Sequence, residues 1–254
     1  MSTKHELVTL TRYRRDKAVE NIKAVFYLSD GRTIADGLTW YRRVNEAAAR
    51  DARGTSTNLE GAAGIVAAVS PSMDWEGNNM HAVRELHTLT ESDWREIAEG
   101  DRSPVRGMSM SSATTKNLLK AHRILAGESP AVVLDIRTAP KTHSFFRNIF
   151  DPSTGEFVTI DGRAHDIAVN RMVRWRTDRG ISSASNVRGT QTRYEFLADC
   201  YIRAARELGI LPHQLQAITW EQGKRIERAG LTKSGKPRVN GQMRVGQPYV
   251  QVAS

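Results

Sequence analysis

The sequence predicts an all-α fold. Apolar residues recur at helical spacing through most of the chain, as over 33–50, where they lie opposite charged residues. Strand signals are poor, because only Phe157–Ile160 alternates as a strand does, and that stretch is too short to build a sheet. No repeat of fixed period is present. With 254 residues the chain is long enough to bury a core, and we predict one helical domain over 1–229.

Helix signals and chain breaks give the expected elements in order. An amphipathic helix, or two, over 7–28 precedes the helix over 33–50, and the nearly all-apolar segment 58–69 is expected to be central until Pro71 ends it. Ser111 or Ser112 is expected to cap the helix over 112–125, and Gly127 to end it. The other helices are predicted over 75–89, 92–98, 130–136, 140–150, 162–176, 191–208 and 212–228. Segment 179–192 is rich in Ser, Gly, Asn and Thr and is predicted to be a loop.

The charge balance favours an anionic partner. Lys and Arg number 37 against 28 Asp and Glu, which gives a net charge of +9 and a pI near 9.9. Such a surplus suits nucleic acid or an anionic membrane face, although a simply solvated surface is the alternative. The segment 230–254 is predicted to be a flexible basic tail, either a solvated terminus or an arm that contacts phosphates.

The composition also limits which cellular compartment and which cofactors are expected. The longest apolar run, 62–69, is far short of the roughly 20 residues of a membrane span. No signal-peptide pattern is visible, so we expect a cytoplasmic location. We also expect the protein to be a monomer. Cys200 is the single cysteine, which excludes cysteine-ligated clusters, and its helical context predicts a buried thiol. No spacing of His, Asp and Glu indicates a metal site, and we expect no cofactor.

The segment 141–166 places an amine and a carboxylate at two neighbouring helix starts. Lys141 follows Pro140, a residue favoured at the first helical position, and the helix dipole disfavours a positive charge there. Lys141 is therefore either a nucleophile or an exposed lysine whose stem lies along the surface. Asp161 precedes the next helix and is either an N-cap or a carboxylate that stabilises positive charge on a sugar ring.

Four segments, taken in order, resemble the helix-hairpin-helix DNA glycosylases of the endonuclease III type. They are GIVAAVSPSMDWEGNNMHAVREL, SSATTKNLLKAHRIL, LDIRTAPKTHSFFRNIF and VTIDGRAHDIAVNRM, within residues 58–176. They are similar, respectively, to the family's helix with a Ser-containing turn, its amphipathic helix, its hairpin with the following helix, and its Val-Asp-x-His segment. The resemblance implies an endonuclease III-like helical fold and double-stranded DNA as the partner.

The resemblance also implies roles for individual residues. Lys141 matches the Schiff-base lysine and Asp161 the catalytic aspartate of a glycosylase that also cleaves the strand. The family flips its target nucleotide, and the loop of Ser70, Ser72 and Met73 would fill the gap that this leaves. Further predicted contacts to substrate or DNA are Trp75, Thr142, Arg163, His165, Arg171 and Arg174.

Several of these contacts have a structural alternative. Trp75 is either a core residue or a platform on which a base stacks. His165 either contacts substrate or extends the capping of its helix. Arg171 and Arg174, with Arg176 and Arg179, form either a solvated edge or a track for phosphates.

The segment also departs from the family's pattern. Residues 137–140 are Arg-Thr-Ala-Pro where the family has its Gly-x-Gly pair, and Arg163 stands where the family has His. Glycines let backbone amides approach a phosphate closely, and proline removes one amide donor. Three hypotheses follow: a DNA glycosylase, an enzyme that modifies bases in phage DNA on the same scaffold, and a non-catalytic DNA-binding protein. The compact basic chain favours a phage origin, with the host cytoplasm as its location.

Overall fold

The all-α prediction is confirmed. The computed structural model describes residues 12–71, 81–170, 186–188 and 191–230. Its helices are α1 Arg12–Tyr27, α2 Gly31–Asp51, α3 Leu59–Val69, α4 Ala82–His87, α5 Glu91–Glu99, α6 Thr115–Leu125, α7 Pro130–Val133, α8 Pro140–Phe150, α9 Gly162–Val169, α10 Arg193–Leu208 and α11 Pro212–Gly230. A 3-10 turn covers Ser103–Val105. The endonuclease III-like form of the fold stays a prediction.

Several predicted boundaries were wrong for local reasons. Thr114, not Ser111 or Ser112, caps α6, since its hydroxyl accepts the N–H of Asn117. Helix α9 was expected to reach residue 176 but ends at Val169, because Asn170 adopts the left-handed conformation at φ 54°. The stretch 157–160, which was expected to be too short to build a sheet, forms neither helix nor strand.

A short hairpin lies in the segment that was predicted to be a loop. Strands β1 (Asn186–Arg188) and β2 (Gln191–Thr192) pair antiparallel. Helix α10 therefore begins at Arg193 rather than at residue 191, and Thr192 and Glu195 form its capping box. Helix α7 also ends early, at Val133, three residues before the predicted end.

The chain divides into two compact units, 39–159 and 1–38 with 160–254. In the unit of 39–159, α3 forms the centre, with every residue of 61–69 buried, and it packs against α4, α6, α7 and α8. At Gly64 a Cβ would lie 2.6 Å from the Pro130 ring, so α3 and α7 approach more closely than a side chain would allow. Asp51, at the end of α2, caps α4 by accepting the N–H groups of Val83 and Arg84.

In the other unit, α1 packs against α9, α10 and α11. Gly37 of α2 meets α11 so closely that a Cβ would lie 2.8 Å from the backbone nitrogen of Ile218. Cys200 is fully buried on α10, which confirms its predicted place, and burial raises the pKa of its thiol to about 12. Among the described residues, every helix is too short or too polar to cross a bilayer.

Candidate functional site

Asp161 caps α9. Its backbone is extended at φ −109° and ψ −175°, and its Oδ1 accepts the N–H of Ala164 at 2.8 Å. The N-cap interpretation of this aspartate is thus confirmed by geometry. Asp161 is only half-buried, so part of the residue is exposed to solvent although it caps the helix.

The second carboxylate oxygen of Asp161 has a distant partner. The indole Nε1–H of Trp220, on α11, donates to Oδ2 at 2.8 Å across 59 residues of sequence. Each oxygen of Asp161 therefore accepts one hydrogen bond from a donor held on a helix. Since a carboxylate oxygen offers two lone pairs, acceptor capacity remains on both.

Two cations lie against the Trp220 ring. The guanidinium carbon of Arg163 is 4.8 Å from the ring centroid and the Lys224 ammonium is 4.7 Å from it. Lys224 also pairs with Glu221 at 2.9 Å. Asp161, Arg163, Trp220, Glu221 and Lys224 thus form a mixed-charge cluster at the start of α9 and on α11, which we call the Asp161 cluster.

Buried polar contacts anchor α9 beneath this cluster. The N–H of Ile160 donates to the Tyr194 hydroxyl at 3.2 Å, and the Tyr201 hydroxyl donates to the carbonyl of Ala164 at 3.3 Å. The Asn21 amide donates to the carbonyl of Ala168 at 2.9 Å, near the other end of the helix. Burial raises the pKa of the Tyr201 phenol, which keeps it a neutral donor. Helix α9 is therefore held at both ends.

His165 lies on α9 one turn beyond Asp161. Its Nδ1 is 3.0 Å from Oδ1 of Asp166, and the two side chains are only 12% and 10% exposed. The imidazole is thereby engaged with its neighbour and largely covered. Its contact with substrate stays a prediction.

Lys141 lies in the first turn of α8, as predicted, within the unit of 39–159. The N-cap residue Ala139 makes no side-chain cap. Lys141 and Thr142 are half-buried, and neither forms a side-chain hydrogen bond or ion pair within the described residues. Asp161 belongs to the other compact unit.

Two further residues of that unit have structural roles. His143, near Lys141, is buried, and its Nδ1 lies 2.9 Å from the carbonyl oxygen of Leu134. Burial lowers the pKa of this imidazole, so the neutral ring donates to the carbonyl. Ser70 ends α3, and its hydroxyl donates to the carbonyl of Ala67 at 2.9 Å. The predicted gap-filling role of Ser70 stays a prediction.

Five of the predicted contact residues lie outside the described part of the chain: Ser72, Met73, Trp75, Arg171 and Arg174. The same holds for the predicted tail after Gly230. Within the described residues, no group of three or more His, Cys, Asp or Glu is arranged to hold a metal.

Helix α6 presents basic residues one turn apart. Lys116 and Lys120 are separated by four positions, and neither has a hydrogen-bonding or ion-pair partner among the residues that the structure describes. Partial burial, together with the charges of Lys116 and Arg123, lowers the pKa of Lys120. Like charges at this spacing oppose each other, which an anion between them would relieve.

Sequence reasoning missed Trp220, Lys224 and Glu221. They follow a helical pattern on α11, where an aromatic residue is usually part of a core, and no local motif joins them to Asp161. The one available signal was the sequence Trp-Glu-Gln-Gly-Lys, in which Gly223 stands inside a predicted helix, where glycine is unfavourable unless close packing requires it. A Cβ at 223 would lie 2.9 Å from Cδ of Arg163, so this glycine makes room for the arginine stem.

Comparison with known families assigns the chain to a sequence family. A family model described as a family of unknown function, DUF7178, matches residues 5–225, and the chain belongs to that family. Neither the curated proteins nor the solved structures give a match. The function is therefore inferred mainly from the geometry of the Asp161 cluster.

Proposed function

We propose that the chain is a DNA glycosylase in which Asp161 stabilises the positive charge that develops on the sugar as the base leaves. The observation that carries the proposal is the carboxylate itself. Asp161 stands partly exposed at the start of α9 and is held by N–H donors on both oxygens. A carboxylate fixed in this way suits electrostatic stabilisation of a cationic transition state, because little reorganisation is needed when the charge appears.

The resemblance of 58–176 to the endonuclease III type supports the same reaction. Asp161 occupies the position of that family's catalytic aspartate, directly after the Val-Thr-Ile segment. Arg163 and Lys224 add positive charge close to the carboxylate, where a phosphate beside the target nucleotide would be attracted. The family resemblance and the Asp161 cluster therefore both support Asp161 as the catalytic residue.

The positive charge of the chain supports DNA as the partner. The net charge is +9, and Lys116 and Lys120 on α6 lack acidic partners within the described residues. Phosphates would neutralise such side chains and release counterions. A duplex would then be bound mainly through its backbone, with Asp161 acting on a flipped nucleotide.

Lys141 is proposed as the nucleophile for an additional strand-cleaving step. Its neutral amine would form a bond to the sugar carbon as the bond to the base breaks, and the amine proton would pass to the departing base. Cleavage of the bond between that carbon and the ring oxygen would then give the Schiff base, and loss of a proton from the opened sugar would expel the 3′ phosphate and break the strand. This step requires Lys141 and Asp161 to serve one substrate. Base release by Asp161 with water as the nucleophile does not require Lys141, so the two parts of the proposal can be tested apart.

The test uses duplexes that carry a panel of damaged or modified bases. Wild-type protein should generate abasic sites, which alkali converts into strand breaks, and Asp161→Asn should not. Borohydride should trap a covalent protein–DNA adduct that is lost in Lys141→Ala if the strand-cleaving step operates. Abasic sites without an adduct would remove Lys141 from the mechanism and leave Asp161. No abasic site on any duplex would refute the glycosylase.

One observation favours a second candidate, a non-catalytic DNA-binding protein. Both oxygens of Asp161 are already used inside the protein, as they would be if the carboxylate only joined α9 to α11. On this hypothesis duplex binding persists unchanged in Asp161→Asn and Lys141→Ala, and no DNA is altered by the wild-type protein.

A further inference from the structure

We propose that Trp220 is the positioning residue of Asp161: its indole N–H fixes the orientation of the carboxylate toward the reacting sugar. The inference rests on the proposed glycosylase function. It assigns a role in that reaction to α11, whose residues contribute nothing to the family resemblance.

The need for a second donor follows from the torsion of the carboxylate. The bond between Cβ and the carboxyl carbon of an aspartate has a broad, roughly two-fold rotational preference. A single hydrogen bond from Ala164 to Oδ1 restrains one oxygen but leaves the plane free to tilt. The bond from Trp220 to Oδ2 adds a second fixed point at 2.8 Å, and two points define the plane.

The indole is itself held in place. Arg163 and Lys224 lie 4.8 Å and 4.7 Å from the ring centroid, and each attracts the π face. Arg163 is two residues from Asp161 on α9, whereas Lys224 is one turn from Trp220 on α11. The carboxylate, the indole and the guanidinium therefore restrain one another.

Gly223 makes this arrangement possible. A Cβ at that position would lie 2.9 Å from Cδ of Arg163 and 3.1 Å from Cδ1 of Ile167. The missing side chain lets the arginine stem cross α11 and reach the indole. Preorganisation of this kind matters because a displacement of about 1 Å in a reacting geometry can cost about 100-fold in rate.

The experiment compares Trp220→Phe with a matched variant, Trp94→Phe. Phenylalanine keeps an aromatic ring for the two cations but removes the N–H. Trp94 lies in the other unit, where it stacks on His122. Base release is measured with enzyme in excess over DNA, and duplex affinity is measured separately by anisotropy.

A second readout does not depend on activity. The chain has five tryptophans, and ¹⁵N labelling gives each indole N–H its own resonance. The resonance that disappears in Trp220→Phe identifies Trp220. In Asp161→Asn that resonance should shift and its N–H should exchange faster with water, whereas the Trp94 resonance should stay in place.

The expected result is a base-release rate lowered about 10- to 100-fold in Trp220→Phe, with affinity unchanged and Trp94→Phe equal to wild type. Equal rates in Trp220→Phe and wild type would overturn the inference while leaving the proposed function standing. An indole resonance that does not respond to Asp161→Asn would also overturn it. Absence of base release in the wild-type protein would overturn the proposed function, and the inference with it.

Discussion

The indole N–H of Trp220 and the carboxylate of Asp161 are joined by a hydrogen bond of 2.8 Å, although 59 residues separate them in the chain. The same carboxylate caps α9 through Ala164. One side chain therefore serves helix α9, helix α11 and, in the function proposed above, the chemistry. Its structural and catalytic contributions have to be separated by the choice of substitution.

Replacement of Asp161 by Ala and by Asn should have unequal effects on stability. Asp161→Ala removes the cap and the acceptor of the indole, and we expect the free energy of unfolding to fall by about 1–3 kcal/mol. Asp161→Asn keeps one oxygen for the cap, because Asn and Asp cap helices about equally well, and we expect a loss of about 1 kcal/mol or less. Urea denaturation measures both values. Equal losses would show that capping contributes little here.

Gly37 should be intolerant of a side chain. In Gly37→Ala the new Cβ would meet the backbone of Ile218, with its nitrogen at 2.8 Å and its Cα at 2.9 Å, so the two helices must separate. We expect a loss of about 1–3 kcal/mol despite the roughly 1 kcal/mol that alanine gains over glycine in a helix.

Gly31→Ala is the matched control for Gly37→Ala, since it lies on the same helix with nothing within 4 Å of the added Cβ. Urea midpoints should fall in Gly37→Ala only. A lowered midpoint in Gly31→Ala, or an unchanged one in Gly37→Ala, would contradict the close crossing of α2 and α11.

Stability should fall as the pH drops below the ordinary range of a histidine. Burial lowers the pKa of His143, so the folded protein binds the proton less tightly than the unfolded chain does. The stability that the neutral His143 ring contributes is fully present above the pKa of the unfolded chain, about 6.5. It is lost as the pH falls toward the lower pKa of the folded protein.

Unfolding in urea on both sides of about pH 6.5 tests this contribution. The wild type should lose more stability on acidification than His143→Gln, which cannot take up the proton. Parallel pH profiles of the two proteins would remove His143 as a source of acid sensitivity.

The single thiol should be protected in the native state. Cys200 is fully buried, and burial raises the pKa of its thiol to about 12, so little thiolate exists at neutral pH. A disulfide reagent should therefore label the protein only after guanidinium chloride unfolds it. Immediate labelling of native protein would place Cys200 at an accessible surface.

Lys116 and Lys120 should each carry part of the salt dependence of DNA binding. Each side chain that contacts a phosphate adds about one unit to the slope of log affinity against log salt. Lys116→Gln and Lys120→Gln should each flatten the slope by about one. Lys17→Gln is the control, because Lys17 already pairs with Glu20 at 3.3 Å. Equal slopes in all three variants would place the DNA elsewhere.

Helical periodicity and caps predicted most of the fold. The buried segment 61–69, the start of α8 at Pro140 and the cap at Asp161 all follow from local signals. The early end of α9 did not, because a left-handed Asn170 is a single-residue choice that periodicity over 162–176 conceals.

The candidate site could be predicted only in part. Asp161 and Arg163 lie in the segment that carries the family resemblance, and Asp161 also carries the local cap signal. Trp220 and Gly223 lie on α11 and contact Asp161 and Arg163 at the start of α9. This is a tertiary contact between segments that are far apart in the chain. A pattern in one sequence reports which face of a helix is apolar, but not which distant side chain that face meets.

The role of Asp161 is tested by the rate of base release from wild-type protein and from Asp161→Asn, with enzyme in excess over DNA. We expect free base and an abasic strand from the wild type, a rate lower by about 100-fold or more in Asp161→Asn, and equal affinity of both proteins for the duplex. Equal rates in the two proteins, or no base released by either, would refute catalysis by Asp161.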